Sequence, residues 1–181
     1  MVVTRLVALA VGLLATLGPL SASTLQRLSL DEMILKSTAI IRGKIVSSRS
    51  MTRGPLVYTV AQVEVAERWK GPRATRLEVA IPGGVYRGER QTFSGTPKLE
   101  PDTDYILFLW TGPSGVTQVI GLAQGVFTVV QDAQGQDVVE RPAATGAVMV
   151  DAKGSVVEDE AVSMKLGDLK GRVERMIAGE K

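Results

Sequence analysis

A long alternation of apolar and polar residues at positions 57–69 constrains the fold more than any other feature of the sequence. Gln62, Glu64 and Arg68 lie on one side of this segment, whereas the other side is apolar. The apolar positions are Val57, Ala61, Val63, Val65 and Trp69. A period of two is that of a strand whose sheet has one face in water. The pattern therefore predicts a long strand that ends at the turn residues 70–72.

Further segments have the β-branched, aromatic or alternating composition of strands, and glycine and proline separate them. They are residues 39–46, 77–81, 105–110, 116–120, 126–130, 137–140 and 147–150, with a short one around 91–93. The continuous apolar run at 105–110 is typical of a central strand that is buried on both faces. The polar stretch 47–55 is interpreted as a turn region, and the first three strands as an antiparallel meander.

Helical patterns lie near both ends of the β-rich region. Ser29 and Glu32 have the spacing of a capping box, in which each side chain accepts a bond from the other residue's backbone N–H. This predicts a short helix that ends near residues 36–38. Leu169, Val173 and neighbouring apolar residues follow helical spacing and predict a helix at about 163–178. The expected fold is mainly β: a small antiparallel barrel or a sandwich, with short N- and C-terminal helices.

Residues 1–23 have the three parts of a secretory signal peptide. Arg5 supplies the positive charge, residues 6–17 are apolar, and small side chains at 21–23 fit signal peptidase. A membrane anchor is the alternative, but the apolar run falls short of the roughly 20 residues that span a bilayer. We expect cleavage near Ser23 and export to the periplasm or the medium, with no integral membrane span after cleavage.

The remaining residues, 24–181, are expected to form a single β-rich domain with its barrel core at about 29–150. The chain has no cysteine, so its stability in an oxidising compartment does not depend on disulfides. Removal of Arg5 with the signal peptide takes the formal net charge from +2 to 2 − 1 = +1, and a nearly neutral chain does not suggest the clustered basic face that nucleic acid requires. We therefore expect no nucleic-acid partner.

The absence of histidine and cysteine limits the available chemistry. It excludes Ser–His–Asp and Cys–His catalysis, and it excludes zinc sites with nitrogen or sulfur ligands. Paired carboxylates remain as an alternative and would suit a hydrolase. The candidates are Asp102 with Asp104, Asp132 with Asp137, and the run Glu158, Asp159 and Glu160. Solvated turns, stabilised by Asp side chains that bond nearby amides, are the favoured interpretation of all of them.

Two further loops raise the question of ligands. The segment 132–137 has a central glycine between two aspartates, faintly like a calcium loop, but it lacks the spacing of an EF-hand. The glycine-containing segments 82–84 and 121–125 are not followed by the helix that a phosphate-binding loop needs. We interpret all three segments as turns and expect no metal and no cofactor.

The order of several short motifs resembles that of a family of uncharacterised exported bacterial proteins. These motifs are RGK at 42–44, KG at 70–71, PGG at 82–84, YILFL at 105–109 and GLAQGVF at 121–127. The chain also distantly resembles the netrin-like modules of metalloproteinase inhibitors, in which similar strands build an OB-type barrel. That resemblance implies a fold and suggests an exported metalloprotease as one partner. The inhibitors chelate zinc through an N-terminal cysteine, which this chain lacks, so their mode of inhibition is not available to it.

The leading hypothesis is a non-catalytic exported binding module, and therefore not an enzyme. Its ligand would be a protein or a component of the cell envelope, held by the loop 82–101. Tyr86, Arg87, Arg90 and Phe93 are the expected contact residues, because aromatic and arginine side chains dominate many interfaces. A carboxylate-based hydrolase and a structural envelope component are the alternatives.

Overall fold

The computed structural model describes residues 23–179. The signal peptide expected at 1–23 lies outside the described residues, apart from Ser23 itself. No helix within 23–179 is long and apolar enough to cross a membrane.

Residues 23–179 fold into thirteen strands, two α-helices and a short 3₁₀ helix at Leu122–Gly125. The helices are α1 (Leu30–Lys36) and α2 (Leu166–Ala178). The strands are β1 (Ser23–Gln26), β2 (Ala39–Arg53), β3 (Leu56–Lys70), β4 (Arg76–Pro82), β5 (Gly84–Tyr86), β6 (Glu89–Gln91), β7 (Asp104–Thr111), β8 (Thr117–Val119), β9 (Val126–Gln131), β10 (Asp137–Arg141), β11 (Ala147–Val150), β12 (Val156–Val157) and β13 (Val162–Lys165). The mainly β fold predicted from the sequence is confirmed.

The largest sheet is antiparallel, with the strand order β13-β10-β9-β7-β2-β3-β4, and β8 pairs with β7. The predicted meander of the first three long strands is confirmed as β2-β3-β4. The sheet curls until β4 lies beside β8. Within residues 23–179 no ladder joins these two strands, so the sheet stays open. Two smaller sheets, β1-β11-β12 and β5-β6, complete the fold, and β1 pairs with β11 in parallel.

The sheet is buried on both faces over its central strands. The concave face holds a cluster made of Ala39, Ile41, Ile45, Ala61, Val63, Val79, Ile81, Tyr105, Leu107, Leu109 and Val119. The opposite face packs against α1 and α2 through Met33, Ile34, Ile40, Ile106, Phe108, Phe127, Val139, Leu169 and Val173. Strand β7 contributes to both clusters, because alternate side chains point to opposite faces. This confirms the central strand predicted at 105–110, although Trp110 at its end is 42% exposed.

The predicted capping box at the start of α1 is confirmed. The Ser29 hydroxyl accepts a bond from the Glu32 N–H, and the Glu32 carboxylate accepts one from the Ser29 N–H. The bond from the Ser29 backbone holds the pKa of Glu32 below its ordinary value. At the other end of α1, the Lys70 ammonium donates to the carbonyls of Ile34 and Leu35. Both ends of this short helix therefore have capping bonds, and the bonds from Lys70 hold it against the sheet.

Three sequence predictions need correction. Most of the stretch 47–55 is strand, because β2 continues to Arg53 and only Gly54 and Pro55 form the turn. The C-terminal helix begins at Leu166 rather than at 163, and the preceding residues form β13 at the edge of the main sheet. Trp69 does not share the core face of Val63, because the β2–β3 register shifts and Trp69 packs on the helix side.

The GLAQGVF segment has a structural role that its sequence did not reveal. The side chain of Gln124 is buried, and its Oε1 accepts a bond from the Leu28 N–H at 2.8 Å. Its Nε2 donates to the carbonyls of Gln26 and Gly121. Gln124 thereby ties the segment between β1 and α1 to the main sheet.

Candidate binding surface

The β2–β3 ribbon extends well beyond the rest of the sheet. Strand β7 covers the outer edge of β2 only from Ala39 to Lys44. Beyond this, the Ile45 carbonyl accepts a weak bond from the Asp102 N–H at 3.5 Å. From there to Arg53, β2 pairs only with β3 among the described residues. One long edge of the ribbon is therefore open, because its backbone pairs with no other strand among the described residues.

The register shows which backbone groups this open edge presents. Thr52 is paired with Val57. On the side of β3 away from β2, the Val57 N–H donates to Gln91 and the Val57 carbonyl accepts from the Gly83 N–H. Because antiparallel pairs alternate, Thr52 directs its own N–H and carbonyl away from β3. The register is continuous from Ser47 to Arg53, so the backbone N–H and carbonyl groups of Ser48 and Ser50 also point away from β3. These three residues line the open edge.

The β5–β6 hairpin lies at the same end of the molecule as the ribbon tip. Gln91 joins the two, because its Nε2 donates to the Pro55 carbonyl at 2.9 Å and its Oε1 accepts from the Val57 N–H at 2.8 Å. Gly84 packs so closely on the ribbon that a Cβ there would lie 2.6 Å from the Thr59 hydroxyl. The two hairpins are therefore held as one unit.

Three of the four predicted contact residues lie on this hairpin. Tyr86 is half-buried, and the Arg87 guanidinium lies 5.4 Å from the centroid of its ring. Arg90 is exposed and stands opposite Val85 in the register. Phe93 is half-buried just beyond the hairpin, where its ring edge faces the backbone of Gly83. The structure brings Tyr86 and Arg87 together, and it leaves Phe93 apart from them.

Other exposed residues at this end carry no pattern that predicts them from the sequence. Met51 and Leu56 near the ribbon tip and Val85 on the hairpin are each more than a third exposed. Arg53 is also exposed at the tip. The segment 47–55 was interpreted as a turn, so no pattern singled these residues out. Met51, Arg53 and Leu56 lie on one face of the ribbon, and the β5–β6 hairpin packs on the other. With Val85, Arg87 and Arg90 at the same end of the molecule, they form what we call the hairpin surface.

Two cavities flank the ribbon. One, of about 330 Å³, lies under the loop that follows β4 and is lined by Ser48, Thr59, Gln91, Thr96 and Lys98, among others. None of the four predicted contact residues lines it. The other, of about 280 Å³, is lined by Met51, Arg53, Tyr58, Ala80, Ser114, Val116 and Gln118. Strand β2 thus contributes to both cavities.

The hairpin surface carries a local excess of positive charge. Within residues 23–179, Arg53, Arg87 and Arg90 form no ion pair with a carboxylate. Arg49 on the outer side of β2 contacts Glu78 at 2.8 Å, but both side chains are more than half exposed. Such exposed pairs contribute little free energy and exchange partners readily.

Some of the candidate carboxylates converge on a single arginine. Arg42 contacts Asp104 at 2.7 Å, Glu67 at 3.4 Å and Asp137 at 3.5 Å. The bonds to Asp104 raise the pKa of the Arg42 guanidinium. A bond from Lys170 holds the pKa of Glu67 below its ordinary value and links α2 to β3. On the helix side of the sheet, each of these three carboxylates therefore has a cationic partner.

Asp159 was interpreted as part of a solvated turn, and this prediction is wrong. Its side chain is only 2% exposed and forms two bonds with Arg141, the shorter at 2.6 Å. Burial alone would raise the pKa of Asp159, but the bonds from Arg141 and the Ala144 N–H outweigh it and lower the pKa. Arg141 Nε has no partner within the described chain. The pair lines a cleft of about 430 Å³ beside Arg27 and α1.

Asp132 was also interpreted as a turn residue, and here the structure agrees. Its Oδ1 accepts bonds from the N–H groups of Gln134 and Gln136. Asp151 does the same for Lys153 and Ser155 in the β11–β12 hairpin. In the part of the chain that the structure describes, no group of three or more acidic side chains is arranged to hold a metal ion.

Comparison of the chain with protein-family models, with curated proteins and with solved structures finds no match. The resemblance to exported bacterial proteins and to netrin-like modules therefore stays a prediction. Any function has to be inferred from the geometry of this chain.

Proposed function

We propose that this protein is a non-catalytic binding module that captures a polypeptide partner at the hairpin surface. One observation carries the proposal: exposed apolar side chains, and arginines without carboxylate partners within residues 23–179, lie at one end of the molecule on two hairpins that Gln91 locks to each other. Arginine and large apolar side chains supply much of the energy of protein interfaces. A rigid base under them lowers the entropic cost of binding.

The carboxylates give less support to the alternative of a hydrolase. Asp104 and Asp159 are engaged by arginines, and Asp132 is engaged by its own turn. The carboxyl groups with shifted pKa values, Glu32, Glu67 and Asp159, are all shifted downwards. A general acid that works near neutral pH needs a raised pKa instead.

The proposed partner is exported with the protein, which follows from the signal peptide expected at residues 1–23. Amino-terminal sequencing of the protein recovered outside the cytoplasm should begin at Thr24. A start at residue 1 would contradict processing near Ser23 and would remove the reason to search among exported proteins.

The binding role is tested by partner capture with matched charge reversals. The double variant R87E/R90E should recover at least tenfold less partner from the exported fraction than the wild type does. Lys153 and Arg175 are also exposed and also lack an ion pair within residues 23–179, so K153E/R175E is the matched control. Equal loss in both variants, or loss in neither, would contradict binding at the hairpin surface.

A further inference from the structure

The open edge of β2 suggests how such a partner would be held. We propose that residues 47–53 accept an extended acidic segment of another polypeptide as an additional strand. This inference rests on the proposed binding role and names the chemical class of the partner. It concerns backbone pairing at the edge of the sheet, which the hairpin arginines alone would not provide.

Backbone geometry is the first support. Ser48, Ser50 and Thr52 direct N–H and carbonyl groups away from β3 on a continuous register. No other backbone hydrogen bond within residues 23–179 uses these groups. Ser48 and Thr52 are exposed and Ser50 is half-buried, so the edge is open to solvent. An unpaired edge of this kind is a template for a further strand.

The side chains on β2 indicate the charge of the incoming strand. Arg49, Met51 and Arg53 alternate with the edge residues and lie on one side of β2. Arg53 has no carboxylate partner in the described part of the chain, and Arg49 has only the exposed Glu78. Cross-strand pairs of opposite charge stabilise a sheet, and like charges destabilise it. Acidic residues at alternate positions therefore suit this edge.

The same charges argue against a second copy of this chain as the occupant. Two β2 edges paired around Ser50 would bring Arg49 and Arg53 of each copy close to those of the other. No acidic residue lies within 47–53 to compensate for this repulsion. The flanking cavities, to which Ser48 and Met51 contribute from opposite faces, would receive alternate side chains of a foreign strand.

The test measures amide hydrogen exchange in the labelled protein, with and without a synthetic peptide. The sequence of the peptide is Thr-Glu-Val-Glu-Val-Glu-Thr. The control peptide carries lysine in place of each glutamate. At a peptide concentration ten times its Kd, the amides of Ser48, Ser50 and Thr52 should exchange about tenfold more slowly. The amides of Arg49 and Met51 already face β3 and should change much less. Absence of protection, or equal protection by the lysine peptide, would overturn the proposal.

Substitutions at the edge separate backbone pairing from charge. Ser50→Pro removes one outward N–H without removing a bond of the β2–β3 ladder, and it should weaken peptide binding at least tenfold. Ser50→Ala keeps the N–H and should change the affinity less than twofold. Arg53→Glu should also weaken binding, whereas Arg73→Glu, at an exposed arginine in the β3–β4 turn, should not.

The results distinguish this inference from the proposed function. If R87E/R90E abolishes partner capture while Ser50→Pro leaves peptide binding intact, the hairpin surface stands and the added strand is wrong. If Ser50→Pro is unfolded by its melting curve, the exchange pattern of the wild type decides alone. A dimer that forms without peptide and protects the same three amides would show that a second copy occupies the edge, which would also overturn the proposal.

Discussion

At the residue scale, Arg141 and Asp159 form the most deeply buried ion pair within residues 23–179. Both side chains are less than a tenth exposed. Asp159→Asn leaves the arginine charged and buried without its counter-ion, which typically costs about 3–5 kcal/mol. Urea denaturation should show this loss. Glu78→Gln breaks the exposed pair with Arg49 and should cost less than about 1 kcal/mol. Similar losses in the two variants would contradict the importance of burial.

The same carboxylate predicts how stability depends on pH. The pKa of Asp159 is lowered in the folded protein, so its contribution is complete above the pKa of the unfolded chain. That contribution is lost progressively as the pH falls below about 4, the ordinary pKa of an aspartate, and then through the lower pKa that Asp159 has in the folded protein. The unfolding free energy should therefore fall more steeply in acid for the wild type than for Asp159→Asn. Parallel curves for the two proteins would contradict this.

Local residue patterns could predict Asp132 but not Asp159. The bonds of Asp132 reach residues two and four positions along the chain, so the spacing of turn residues reveals them. Asp159 depends on Arg141, which lies eighteen positions away in sequence, and on burial that no local pattern shows. The capping box of α1 was predictable for the same reason as Asp132, because Ser29 and Glu32 are three positions apart.

At the scale of elements, the close approach of β2 to β3 depends on Gly43. A Cβ at this position would collide with the Glu64 carbonyl oxygen, at a shift in the β2–β3 register. Gly43→Ala should therefore destabilise the protein by about 2 kcal/mol, within the range for overpacked cores. Gly167 in α2 has no atom within 4 Å of such a Cβ, and Gly167→Ala should stabilise by up to about 1 kcal/mol. Denaturation curves that shift in the same direction for both variants would contradict this account.

The error at residues 47–55 has a physical cause. A strand is recognised by the alternation that results when one face is buried, and this part of β2 is largely exposed. Serines and arginines at an open sheet edge have the same composition as a solvated turn. The hairpin surface is not predicted for this reason, although the actual turn at Gly54 and Pro55 lies within the predicted turn region.

The boundary of α2 was misplaced because two patterns overlap. Val162 and Met164 alternate as a strand at the sheet edge, and Leu166 begins the helix directly after them. Their spacing also fits the start of an apolar helical stripe. Only the pairing of β13 with β10, which is a tertiary contact, separates the two elements.

For the whole molecule, the sequence predicted the layers better than the site. Burial of β7 on both faces requires a core on each side, and the apolar run of its sequence shows this directly. The hairpin surface depends on where β7 stops covering β2 and on the Gln91 contacts with the ribbon. Neither feature follows from local pattern, so the four residues predicted from the loop include only part of the surface.

The central claim is that the partner binds at the hairpin surface and does not simply bind wherever apolar side chains are most exposed. Val85 on the hairpin is 45% exposed, whereas Val156 in β12 is 74% exposed and lies in a different sheet. The most direct measurement places a photo-crosslinking amino acid at one or the other position and exposes each protein to the exported fraction. The account predicts a discrete cross-linked partner from position 85 that R87E/R90E removes, and none from position 156. The same partner captured equally from both positions, or only from position 156, would contradict it.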